Sequence, residues 1–218
     1  MRYPIGEAFN LAQLNQPLPS TIIQEQIMEG VHIYSLGKGT SMAPEAFNFY
    51  KMLFVKQGKM RITIKDERGT PHIQELTKHD GIVTPTGRVI VLEAIEDCVC
   101  LEVMLGQTVN HTIREIGTVF STAEMGEYKR DEMTLVNVIS SGFVDVMIIS
   151  FDRDAYVFEM KLQENIMIYV YEGEGVAEIK GKKQILKPND SMRVMKGTRI
   201  KISPASEQLR IGVTNFYI

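Results

Sequence analysis

Residues able to carry chemistry are sparse in this chain, and their spacing limits what they can do. Cys98 and Cys100 stand two apart inside the alternating run 97–103, so on a strand their side chains share one face. Two thiolates could begin a soft-metal site. The segment offers no further thiolate or imidazole beside them, so the pair reads as two small core residues. There are 4 histidines. His32 falls in the alternating run Val31-His32-Ile33-Tyr34 and reads as strand surface; His72 and His79 fall in a turn region, and His111 in a polar linker. No His–Asp pair has the spacing of a general base and its orienting carboxylate. The clustered polar groups are Glu45, Tyr50 and Lys51.

The elements that must position these groups are strands. Runs of β-branched and aromatic residues recur between Gly, Asp and Asn turns, the pattern of an antiparallel jelly roll. Composition is that of a globular chain: 218 residues, 44% apolar, 23% charged and a formal net charge of −3. That length suits two small domains, each able to bury a core. No basic block appears, which disfavours nucleic acid. No apolar run approaches the roughly 18 residues of a membrane span, and Met1–Phe9 lacks the pattern of a signal peptide. A cytoplasmic, reducing home is therefore expected, with two unpaired cysteines.

The chain also repeats itself. Ile5-Gly6-Glu7-Ala8-Phe9-Asn10 resembles Ile116-Gly117-Thr118-Val119-Phe120-Ser121, an offset of 116 − 5 = 111. Asn10 with Gln13, and Ser121 with Glu124, carry helix-start signals, so each repeat is expected to open with a short helical turn. Met52–Gly58 matches Met167–Gly173 at offset 115, and Asp80 and Gly87 match Asp190 and Gly197 at 110. The offset falls because the turn Asp66–Gly69 is shortened to Lys180-Gly181-Lys182. Expected domains are 1–106, with a leader at 1–19, and 107–218, with a leader at 107–131. The apolar leaders are expected to pack where the two domains meet, with pseudo-two-fold symmetry.

These repeats resemble the cupin family. Its first motif is Gly, five residues, His-x-His, three or four residues, Glu, six residues, Gly. The chain keeps that frame at Gly39, Glu45-Ala46-Phe47, Lys51 and Gly58, and again at Asp154, Met160-Lys161-Leu162, Ile166 and Gly173. The second motif is Gly-Asp, four residues, Pro-x-Gly, two residues, His. It is matched by His79-Asp80, Pro85-Thr86-Gly87 and Ile90, and by Asn189-Asp190, Met195-Lys196-Gly197 and Ile200. The resemblance covers nearly the whole chain and implies an all-β fold of two tandem antiparallel jelly-roll barrels with short lead-in helices. Every metal-ligand position is altered. A cupin metal needs three or four converging imidazoles and carboxylates, and only Glu45 remains a donor. The expectation is no metal and no cofactor.

The resemblance places Glu45, Phe47, Tyr50, Lys51 and Ile90 at the mouth of the first barrel, and Met160, Leu162, Ile166 and Ile200 at that of the second. The implied function is a metal-free, two-barrel (bicupin) small-molecule binding or sensing module rather than an enzyme. Its ligand would be small, apolar or of mixed polarity. The competing reading is a metal-independent sugar isomerase or epimerase, which needs a tuned base that the spacing does not supply. A cyclic-nucleotide-binding jelly roll also resembles residues 56–80, but Pro85-Thr86-Gly87-Arg88 runs directly into a strand and leaves no room for a phosphate-binding helix. No nucleic-acid or membrane partner is expected; the chain would be a monomer with an internal pseudo-dimer, or a homodimer.

Overall fold

The computed structural model describes residues 3–155 and 157–217. In chain order the elements are β1 (Ala8–Asn10), α1 (Leu11–Leu14), β2 (Ile22–Met28), β3 (Val31–Leu36), β4 (Tyr50–Gln57), β5 (Lys59–Lys65), β6 (Pro71–Thr77), β7 (Asp80–Thr84), β8 (Ile90–Ala94), β9 (Cys98–Gly106) and β10 (Val109–Thr112). They continue as β11 (Phe120–Ser121), β12 (Met133–Ser141), β13 (Val144–Asp152), β14 (Phe158–Lys161), β15 (Asn165–Glu172), β16 (Gly175–Ile179), β17 (Lys182–Leu186), β18 (Asp190–Val194), β19 (Arg199–Pro204) and β20 (Gln208–Phe216).

Residues 15–122 form one compact unit, and 1–14 with 123–218 form another. In the first, the sheet β11-β7-β4-β9-β3-β2 faces the sheet β6-β5-β8 across a core that includes Tyr34, Leu53, Val55, Met60, Ile62 and Leu76. In the second, the order β1-β18-β15-β20-β13-β12 is matched with β14-β19-β16-β17 around Ile149, Phe151, Ile168, Ile202, Leu209 and Ile211. The fold is thus all-β, in two tandem antiparallel jelly-roll barrels.

Local sequence explains the strands. β5 alternates apolar and polar residues: Met60, Ile62 and Ile64 are buried, while Arg61 points outward and bonds Glu93 at 3.0 Å across the strand pair. Alternation of this kind buries one face and leaves the other wet. β4 and β15 are buried from Lys51 to Lys56 and from Ile166 to Tyr171, in keeping with their near-continuous apolar runs. The two cysteines face the first core and are both free. Burial pushes the Cys98 thiol up to about 12 and Cys100 well above its usual value, so neither is a nucleophile.

The matched turns have matched geometry. Gly58 and Gly173 have φ of +75° and +74°. The amides of His79 and Asn189 donate to Val55 and Val170 at 2.9 Å, and both residues have positive φ, at 74° and 73°. Asp80 and Asp190 each accept an amide bond, from Thr77 and Lys187, at 2.8 Å.

The leaders differ from expectation. β1 pairs with β18, and β11 pairs with β7. The leader at 1–14 therefore belongs to the unit of 123–218, and residues 107–122 belong to the unit of 15–106, rather than to the expected halves 1–106 and 107–218 respectively. Each leader strand covers the edge of a strand in the barrel of the other repeat, which removes an exposed hydrogen-bonding edge. Beside each strand pairing, one glutamine grips the leader at two points. Gln184 donates to Gly6 O at 2.6 Å and accepts from the Ala8 amide at 2.9 Å. Gln74 does the same with Gly117 O at 2.5 Å and the Val119 amide at 3.1 Å. Asn10 caps α1 by accepting the Gln13 amide at 3.1 Å. After Ser121 the chain makes turns, not the expected helix.

Candidate functional site

The barrel interiors place the motif positions in register. Glu45 bridges to Ile90, and Met160 pairs with Ile200. The Gly87 amide donates to Phe47 O at 2.7 Å and the Gly197 amide to Leu162 O at 2.9 Å. Lys51 and Ile166 occupy the same step of β4 and β15, opposite Thr84 and Val194. The two sets of four positions are geometrically equivalent, so their chemistry can be compared directly.

In the first barrel they surround a small cavity of about 20 Å³, lined by Glu45, Phe47, Lys51 and Ile90 together with Thr84 and Glu102. Tyr50 is not among the lining residues. Lys51 Nζ lies 3.0 Å from Glu102 Oε2, and both side chains are less than a tenth exposed. The Phe47 ring covers the ammonium, with its centroid 3.3 Å away, an electrostatically attractive placement for a cation. The Tyr34 hydroxyl donates to Glu102 Oε1 at 3.3 Å. Burial first, and the Glu102 charge second, push the Tyr34 phenol well above its usual value, so it stays a neutral donor. His32 Nδ1 is 3.6 Å from the same oxygen. His32 is therefore half-buried beside the cavity pair and not a strand-surface residue, because its place opposite Glu102 on β3 turns it the same way.

Glu102 is the cavity-lining residue that the motif frame misses. The signal was available: Cys98 and Cys100 share a face, and one further step of two brings Glu102 to it.

Among the described residues the second barrel has no such pair. Leu162, Ile166 and Ile200 are buried in its core, and Met160 sits exposed at the edge. The residue matching Glu102 is Val213, since Leu53 pairs with Glu102 and Ile168 with Val213. Its interior is filled by side chains.

These donor sets do not fit a metal. Among the described residues no group of three His, Cys, Asp or Glu side chains could hold an ion, and in the first barrel an ammonium occupies the position of a ligand carboxylate. No described helix is long and apolar enough to cross a membrane.

No protein-family model matches the chain, and no curated protein matches it. Solved structures do. A cupin 2 conserved barrel domain protein from Leptotrichia buccalis superposes with a TM-score of 0.85 at 16% identity, over 98% of this chain and 97% of that one. The oxalate decarboxylase of Bacillus subtilis aligns with 98% of this chain and 78% of its own at 11% identity, with a TM-score of 0.61. That of Lactobacillus farciminis, solved as a formate complex, gives 0.62 at 9% identity, over 96% and 85% of the two chains. At such identities the likeness establishes architecture alone, and on that architecture the chain has the cupin fold.

Proposed function

We propose that this chain is a metal-free bicupin, the product of an internal duplication, that binds a small molecule of mixed polarity at the mouth of its first barrel. The observation that supports this reading is the Lys51–Glu102 pair beneath Phe47. The Lys51 ammonium supplies a fixed cation where a metal ligand would otherwise stand. A buried charge pair is a costly way to fill a barrel, and the second barrel fills the same place with Ile166 and Val213 at no such cost. The charged pair thus has a use beyond packing: a cation and a carboxylate that can address polar groups of a ligand, against the apolar wall of Leu53, Ile90 and Leu92.

The cavity holds about one water molecule as it stands, so a ligand enters by displacing Phe47. That residue lies in the segment between β3 and β4, which is tied to the barrel by the Ser41 and Glu45 bridges. Oxygen atoms of the ligand then replace the ring face on the ammonium. The protein acts in a reducing cytoplasm, as a monomer or homodimer, without nucleic-acid partners. Native mass spectrometry of the purified full chain tests the reading together with elemental analysis. The expected result is a bound small molecule that is lost in the Lys51→Ile/Glu102→Val double variant, and less than one equivalent of any transition metal. A stoichiometric metal that survives dialysis, or a ligand retained by the double variant, overturns it.

A further inference from the structure

A larger concavity lies elsewhere. In the second unit a cleft of about 390 Å³ opens between the leader, the β16–β17 hairpin and the turn after β18. Its volume is in the range of small-molecule sites. It shares no lining residue with the first-barrel cavity, and none of Met160, Leu162, Ile166 or Ile200 lines it.

Its surfaces are of two kinds. The apolar part is made by the buried Ile179 and Val194 and by Ile5 and Met195, which are 45% and 40% exposed. Two large apolar side chains left exposed on one concave wall call for a covering group. The polar part carries Lys180, Lys182 and Lys183, with Glu7 as the acid. Among the described residues none of the three ammonium groups has a carboxylate partner, Glu7 included. The wall is preformed, because Gln184 holds Gly6 and Ala8 from both sides.

The equivalent place in the first barrel explains why the charge is unbalanced. There the longer turn after β5 brings acids. Asp66 lies 3.6 Å from His72, and Glu67 takes Arg88 at 2.6 Å. Shortening that turn to Lys180-Gly181 removes both acids and leaves Lys182 opposite the apolar Ile179, whereas Lys183 stands opposite Glu178.

We propose that this cleft binds a small organic anion with a hydrocarbon body, a medium-chain carboxylate, whose carboxylate pairs with Lys182 while its chain lies on Ile179, Val194 and Met195. The charge of the rim selects the anion, and the exposed apolar wall selects the chain.

The test is a titration of the full chain, labelled with ¹³C at its methionine methyls, with octanoate; the Met195 signal is identified by Met195→Leu. A saturable shift at Met195, with Met52 and Met60 of the first barrel unmoved, is expected. Octanol should bind roughly tenfold more weakly, and Lys182→Glu should weaken octanoate by a similar factor. Lys182 is exposed, and the remaining methionine signals report that the variant is folded; Lys182→Gln supplies a milder second variant with a smaller loss. A Met195 signal that stays still to millimolar octanoate, octanol binding as tightly as octanoate, or unchanged affinity in the lysine variants overturns the proposal. Because the two sites share no residue, each of these outcomes leaves the first-barrel reading standing or falling on its own test.

Discussion

Lys51 Nζ and Glu102 Oε2 lie 3.0 Å apart inside the first barrel, at the positions that Ile166 and Val213 occupy in the second. The second barrel is therefore a natural control for the first. Removing one partner of a buried pair strands the other charge, whereas replacing both with well-packed apolar groups costs little. Glu102→Val alone should destabilise the chain by roughly 3–5 kcal/mol. Lys51→Ile/Glu102→Val should recover most of that loss. Denaturant unfolding of the three proteins measures both; a double variant as unstable as the single one would mean that the pair is needed for folding itself.

Gly58 and Gly173 should tolerate no side chain. A Cβ added at Gly58 would stand 2.0 Å from Asp97 O, and at Gly173 1.8 Å from Gln208 O, in both cases against backbone and at positive φ. Gly181 has φ of +76° with nothing within 4 Å, so Gly181→Ala carries only the conformational cost of about 1–2 kcal/mol. Gly58→Ala and Gly173→Ala should each cost more than about 3 kcal/mol. Equal midpoints of unfolding for the three variants would show that the strand ends give way more easily than their geometry implies.

His79 should weaken the fold in acid. Burial, and then the charges of Lys78 and Lys56, lower its imidazole from 6.5 to about 4, with Asp80 opposing. Between those values the unfolded chain binds the proton and the folded chain does not. Stability from this group is thus complete above pH 6.5 and is lost as the pH falls to about 4. His79→Asn copies the residue that holds the same positive φ at Asn189, and asparagine accepts that conformation. The variant should lose part of the acid slope of stability over this window while keeping its stability at pH 8. An unchanged slope would assign the acid sensitivity to other groups.

Gln184→Ala should loosen the leader without unfolding the barrel, since it removes both side-chain bonds to residues 6 and 8 while the β1–β18 pairing remains. Hydrogen exchange should show lost protection at the Ala8 amide, with β15 and β20 still protected. Loss of protection throughout the unit would mean that the leader is part of the cooperative core.

The sequence by itself determined the strands, the repeat and the turn glycines. Alternation in β5, continuous apolar runs in β4 and β15, and positive-φ turns at Gly58 and Gly173 are local demands, each satisfied by the residues on the spot. It also determined which donor atoms stand at the motif positions, because a donor atom is a property of the residue type. Only the tertiary structure decided which leader joins which barrel: Gln74 and Gln184 reach their partners across 43 and 178 positions of sequence, and no local pattern encodes such a pairing. The same holds for the site. Glu102 and His32 looked like ordinary strand residues in their own segments, and they became neighbours of Lys51 only when β3, β9 and β4 aligned side by side. The cleft beneath Lys182 arose in the same way, from a shortened turn and a distant leader whose joint surface exists only in the folded chain.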